Sequence, residues 1–486
     1  MEQPKKPKFK GADDFASTND FLAQFDEDGG LVEDYTEIEP EEWIHTGHYM
    51  FNAHISGSLR RGYPSGKIIT IPGDPKTGKS YLVFNGMREA QKRGYMIWLF
   101  ETEGAPDKTR FIKQGVDPKR VRITQPETVG EAIVKLVQFT TKLLEMKKEG
   151  KPIPKFLVSI DSLTSLNSQK QFDDAMAGET KADMGGQAKE IINMLNMLTV
   201  RLGKLQIPMI NTMHVYEARD RHSNVTKTPS GGKGPLYMSS VVPMLRKTLV
   251  KDKETKQRLG VMVTSSIFES RYAQHHDIEM YINFEKGMNE FLGLEKYVSW
   301  EICGIDKGKV VDFVDIGYEL FSKKLFTLEN VDKFEFTDET LTKNLSKPKL
   351  EFIKYCLEKS ISEGLIVETN VGGKYMFTEK IKSEFDEKGK YKKPAARQIA
   401  VPNKTSNTWA IKHLDKAVPM QALFTKEVFT DKVIEELDEK VIMPKFMLSS
   451  IDQEEILNMA IEQEIDTEQM LADAMDIINK TEATND

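Results

Sequence analysis

The segment Gly73-Asp74-Pro75-Lys76-Thr77-Gly78-Lys79-Ser80 spells G-x-x-x-x-G-K-S. Glycines at these positions let backbone N–H groups curl around phosphate oxygens. Lys79 is then placed to reach the β- and γ-phosphates of a nucleotide, and the Ser80 hydroxyl to ligate Mg²⁺. Tyr81 follows directly, so Gly73 to Tyr81 is the candidate nucleotide-binding stretch. The apolar run Lys67-Ile68-Ile69-Thr70-Ile71 precedes it and a helical pattern follows, which is the context the motif requires. A bare Gly/Lys turn would need neither flank.

Three further strand-like runs end in polar residues. Leu157-Val158-Ser159-Ile160-Asp161 delivers one acid at its end, as a buried strand does for a Mg²⁺ site. Alone, such an Asp could equally cap a helix; the phosphate loop favours the metal role. Phe100-Glu101-Thr102-Glu103 closes another run, and a carboxylate there could polarise an attacking water or belong to a solvated acid pair. Met209 to Met213 is expected to end at His214, either a structural histidine or a residue that faces the γ-phosphate and couples it to the next loop. That loop, Ala218 to Ser240, contains Arg219, Arg221, His222, Lys227 and Gly231-Gly232-Lys233-Gly234. A stretch of roughly twenty residues without apolar periodicity inside a core is unusual and often functional. Basic side chains among glycines suit contact with a single-stranded nucleic-acid backbone; the plain alternative is a solvated insertion. Thr164 to Gly186 carries Lys170, Lys181 and Gly185-Gly186 but several acids as well, a weaker signal.

These residues need a scaffold, and the alternation of apolar runs with helical stretches, such as Val129–Met146 and Gln187–Leu205, supplies one. It predicts an α/β core with a mainly parallel sheet covered by helices on both faces. The 486 residues exceed what one core needs. The expected organisation is an N-terminal arm over 1–54, the core over 55–334, a smaller α+β domain over 335–450 with a hairpin at Gly372-Gly373, and an acidic tail over 451–486. Lys+Arg 68 against Asp+Glu 75 leaves a net charge of −7, which excludes a polycation that coats nucleic acid by bulk charge. Cys303 and Cys356 exclude a disulfide scaffold and a cysteine-built zinc site. The lack of an apolar run of about 18 residues predicts no membrane span and a cytoplasmic protein.

The order of phosphate loop, Glu103, Gly115-Val116-Asp117, Gln125-Pro126-Glu127-Thr128, Ile160-Asp161-Ser162-Leu163 and glycine-rich loop resembles the RecA-type recombinases, and among them the bacteriophage UvsX branch. Ile207-Pro208 through Glu217, Gly231 through Tyr237, and Thr408-Trp409 are similar to that branch as well. The likeness covers about Ile55 to Leu437, strongly in the core and loosely at both ends. It implies a RecA-like ATPase core using ATP and Mg²⁺. It also implies a helical filament on single-stranded DNA that pairs with homologous double-stranded DNA and exchanges strands, with a single-strand-binding protein and a loading mediator as candidate partners. By the same resemblance Glu103 is the general base, His214 the γ-phosphate sensor and Asp107 an adenine contact. The segments after Leu163 and Glu217 are the DNA loops, and the arm from Asp13 to Ile38 packs on the neighbouring subunit.

Two positions depart from the family pattern. Arg110 stands where the family often has a tyrosine stacking on adenine; a guanidinium can also stack on a base, which would loosen nucleotide specificity. In Phe268-Glu269-Ser270-Arg271, relatives usually place two cations that reach the neighbour's γ-phosphate. Arg271 matches one, Glu269 replaces the other, and Lys286 is nearby; a single cation would slow hydrolysis. Two rivals follow. A hexameric helicase on the same core would need a collar domain larger than the roughly fifty residues before Ile55. A weakly hydrolysing ATP-binding mediator is favoured by Glu269 and opposed by Glu103.

Overall fold

The computed structural model describes residues 39–104, 108–179, 185–217, 227–229, 234–312, 335–337, 358, 361, 362, 364, 366–369, 374–380 and 398–448. The arm over 13–38, Asp107, Arg219, Arg221, His222, Gly231, Gly232, Lys233 and the acidic tail lie outside them.

Strands β1 (Trp43–Ile44) and β2 (Tyr63–Pro64) form a small ribbon ahead of the core. The core strands follow as β3 (Ile68–Gly73), β4 (Met96–Glu101), β5 (Val121–Thr124), β6 (Phe156–Asp161) and β7 (Met209–Glu217). Next come β8 (Lys227–Pro229), β9 (Val241–Lys251), β10 (Arg258–Ser270), β11 (Ile278–Asn283) and β12 (Gly287–Met288). They make one ten-stranded sheet in the order β12-β11-β10-β9-β3-β7-β6-β4-β5, with β8 paired to β7. From β9 to β5 every pairing is parallel, and β10 to β12 continue antiparallel. The mainly parallel sheet expected from sequence is therefore present.

All six residues of β3 are buried, as a strand covered on both faces requires. On one side helix Lys79–Lys92 buries Leu82, Val83, Phe84, Met87 and Ala90 in the larger core. On the other, helices Val129–Lys148 and Gly186–Leu205 bury Val129, Ala132, Leu136, Met194, Leu195, Leu198 and Leu202 against β6. Thr128 starts the first of these by accepting the Glu131 N–H at 3.1 Å, one of the donors a helix start leaves unsatisfied. Because parallel strands end at one edge, the loops after β3, β4, β6 and β7 converge there.

Two expectations change. β7 does not end at His214 but runs on to Glu217, because antiparallel pairing with β8 extends it, Glu217 lying opposite Lys227. The segment after Leu163 is not all loop: Gln169–Met176 is a helix closed by a capping box, Ser168 accepting from Gln171 N and Gln171 from Ser168 N.

Outside the ten-stranded sheet, β13 (Ile305–Asp312) pairs antiparallel with β17 (Gln398–Pro402) and β18 (Thr408–Ile411), and β18 with β19 (Lys416–Pro419). A separate three-stranded sheet contains β14 (Glu335–Thr337), β16 (Lys374–Phe377) and β15 (Ile366–Glu368). The antiparallel β15–β16 pair flanks the expected Gly372-Gly373 hairpin, whose turn lies outside the described residues. Among the described residues no helix is long and apolar enough to cross a membrane.

Candidate nucleotide site

The phosphate loop leaves the end of β3 and enters the helix at Lys79, as the motif requires. Gly78 holds φ +89°, in the left-handed region glycine favours, and a Cβ there would meet Ile282 Cδ1 at 2.5 Å. Gly73 is equally confined: a Cβ would lie 2.8 Å from Thr77 Oγ1 and 3.0 Å from the Leu245 carbonyl. Thr77 Oγ1 donates to the Asp74 carbonyl at 2.9 Å, closing the loop on itself. Pro75, Lys76, Gly78, Lys79 and Ser80 line a cavity of about 400 Å³ with Glu103 and His214 on its far side. The stretch thus has the backbone freedom and the concavity that a phosphate chain needs.

Lys79 is almost wholly buried, and its ammonium donates to the Gly73 carbonyl at 2.9 Å and the Asp74 carbonyl at 3.0 Å. Burial lowers its pKa below the ordinary lysine value; Asp161, Glu103 and Asp74 pull it back up, and Lys247 pushes it down. The same nitrogen lies 3.5 Å from His214 Nδ1. An ammonium can only donate, so Nδ1 accepts and the ring proton resides on Nε2. That Nε2 lies 2.8 Å from Glu103 Oε1, which therefore accepts it. Lys79, His214 and Glu103 form one hydrogen-bonded chain across the cavity.

Glu101 has a different task. Its carboxylate accepts the Glu103 N–H at 3.2 Å, the Gly104 N–H at 3.1 Å and the Gln125 amide at 3.3 Å. It folds the turn that presents Glu103. Asp161, also buried, accepts from Thr212 Oγ1. Its position at the end of β6, next to β7 and close enough to act on Lys79, fits a metal-holding acid paired with Ser80. Thr212 precedes His214 by two on β7 and so shares its face. Thr164 Oγ1 accepts the His214 N–H at 3.2 Å, and the Thr164 carbonyl accepts from the Gln187 amide at 3.2 Å. The segment after β6 is thereby bonded to His214 on β7.

The structure brings Gly73 to Tyr81, Glu103, His214, Arg110 and Asp161 to one edge of the sheet. Arg110 lies over the Phe84 ring at 4.8 Å, on the cavity wall. Lys227 sits on β8, antiparallel to the end of β7. Arg271 is elsewhere: its N–H donates to the Ser240 carbonyl, and Ser240 donates to the Ile68 carbonyl, at the start of β3. The five residue steps from Ile68 to Gly73 put its backbone roughly 16 Å from its own phosphate loop. Sequence reading missed Thr164, Thr212 and Lys247, whose ammonium donates to the Pro75 carbonyl from β9. The period-2 alternation of β7 could have found Thr212; Lys247 reaches the loop only through the β3–β9 register.

A family model described as the RecA N-terminal domain matches residues 35–289, just over half of the chain. A recombination and repair protein of Enterobacteria phage T4 is 27% identical over 249 residues, which is 50% of this chain and 60% of that protein. Protein RecA of Treponema denticola is 26% identical over 304 residues, covering 62% of this chain and 70% of the relative. Protein RecA of Thermotoga neapolitana is 25% identical over 281 residues, covering 58% and 74%. The chain thus spans only three fifths of the phage T4 relative.

Proposed function

The chain belongs to the RecA family, and we propose from that membership and from the site that it is an ATP-dependent DNA recombinase. It would form a helical filament on single-stranded DNA, pair it with homologous duplex and exchange strands, hydrolysing ATP to release the product. The observation that carries this reading is the chain from Lys79 through His214 to Glu103, at the point where β7 leads into the glycine-rich basic segment.

Bound phosphates would take the Lys79 donors now given to the Gly73 and Asp74 carbonyls. Loss of the Lys79 contact frees His214, and with it the hold on Glu103, which is then available to polarise the attacking water. Through the Thr164 bond the same movement reaches the segment after β6. Both DNA loops are in this way coupled to the nucleotide. Ser80 and Asp161 would hold Mg²⁺, which would supply neutralisation of the phosphate charge. In this reading Arg271, whose backbone lies at the opposite end of β3 from its own loop, serves the neighbouring subunit; Arg219, Arg221, His222, Lys227 and Lys233, with Gly231 and Gly232, contact DNA; and Asp107 contacts adenine. The division at 54, 334 and 450, the arm that packs on a neighbour, the cytoplasmic location and the single-strand-binding and mediator partners belong to the same proposal.

The test is ATP turnover with and without single-stranded DNA, for the wild type and Lys79→Ala. DNA should stimulate the wild type, and the variant should hydrolyse no ATP. Equal turnover with and without DNA would remove the coupling.

A further inference from the structure

The cavity at the phosphate loop continues into a second lobe of about 500 Å³, lined by Arg110, Lys113, Ile282, Phe284, Lys286 and Gly287, and Tyr81 borders both. With phosphates at the loop and the Glu103–His214 pair across from it, the second lobe is where the nucleoside end of a nucleotide must extend. Its far wall is the tight turn between β11 and β12, in which Asn283 pairs with Gly287. One side of this turn is fixed from within: Asn283 Oδ1 accepts the N–H groups of Glu285 and Lys286, each at 2.9 Å. The other side is fixed from the helix, because the Tyr81 hydroxyl accepts the Met288 N–H at 3.0 Å. Gly287 has φ +75°, and a Cβ there would lie 2.6 Å from that hydroxyl, so the turn leaves room for Tyr81 only because this residue is glycine.

We propose that Tyr81 is a positioning residue for the nucleoside moiety. Its hydroxyl latches the Asn283–Met288 turn to the first turn of the helix after the phosphate loop, so that the wall offered to the base keeps a fixed distance from the bound phosphates. The inference rests on the reading of the cavity as a nucleoside triphosphate site. It makes selectivity for ATP over a phosphate chain alone depend on a contact that touches neither.

The test compares binding of Mg-ATP and of Mg-tripolyphosphate, which has no base, by calorimetry on the full chain. Tyr81→Phe keeps the ring and removes one hydrogen bond, and should weaken ATP roughly fivefold while tripolyphosphate moves less than about twofold. Gly287→Ala crowds the hydroxyl and strains the backbone, and should weaken ATP by about tenfold or more. The double variant should bind ATP no more weakly than Gly287→Ala alone, because the crowded hydroxyl is gone and coupled sites are non-additive. ATP affinity unchanged in Tyr81→Phe, equal weakening of both ligands, or independent effects in the double variant would each overturn the latch and leave the nucleotide reading standing. If the wild type bound neither ligand, the nucleotide reading would fall, and the latch with it.

Discussion

Replacing Glu103 by glutamine isolates the base from everything that positions it. The amide oxygen can still accept from His214 Nε2 at the 2.8 Å seen for the carboxylate, and Lys79, Ser80 and Asp161 are untouched. The turn that carries residue 103 also survives, since Glu101 holds it through the backbone N–H groups of residues 103 and 104. What is lost is the carboxylate's charge and, with it, the proton-accepting power. General-base removal typically costs 10²–10⁴ in rate, about 3 to 5 kcal/mol of barrier. ATP affinity should hold or tighten, because one negative charge leaves a cavity that receives phosphates. The assay is single-turnover hydrolysis of ATP at saturating single-stranded DNA, with nucleotide binding measured in parallel. DNA complexes formed with ATP should outlast wild-type ones. A single-turnover rate within about threefold of wild type would refute the assignment of the base. Glu101 could not then simply take over, because its carboxylate is committed to the turn.

Three further outcomes are expected. Burial holds His48 and His54 neutral, each with its pKa lowered to about 3, whereas in the unfolded chain they titrate near 6.5. The unfolded state therefore takes up protons first: stability is full above about pH 7 and falls by up to about 1.4 kcal/mol per pH unit and histidine as pH drops from 6.5 toward 3. His48→Asn, which keeps a helix-capping acceptor for Phe51 N, should flatten the decline of Tm with acidity, and an unchanged slope would count against it. Gly78→Ala should cost at least about 1 kcal/mol of stability and most ATP affinity, read by thermal melting and nucleotide titration. Truncation after Ser450 should tighten duplex DNA binding at low salt, with the gain shrinking as ionic strength rises; equal binding at low salt would deny the acidic tail a competing role.

The sequence carried most of the site because its parts are local. A phosphate loop between a strand and a helix, and acids or a histidine at strand ends, are patterns of a few residues each. What escaped depends on register. Whether Glu101 or Glu103 faces the cavity is decided by which carboxylate accepts the backbone N–H groups of the turn. The extension of β7 past His214 needs β8, a partner separated from it in the chain. The helix Gln169–Met176 was legible in Ser168 and Gln171, three residues apart, but its lack of fully buried residues removed the periodicity that marks longer helices. The Tyr81 and Lys247 contacts join residues far apart in sequence, and no short pattern announces them.

The place of Arg271 has a consequence for concentration. If Arg271 serves a neighbour's loop, as proposed, its backbone beside the start of β3 and the phosphate loop at the end of that strand give each subunit a donor on one side and an acceptor on the other. Copies joined through these two sides would all point the same way. In a row of such copies one terminal loop has no arginine opposite it, so a lone chain has none at all and a short row wastes a larger fraction of its loops than a long one. Specific activity should then climb with protein concentration and level off, even at saturating ATP, and the two ends of a row should differ in how readily they lose subunits.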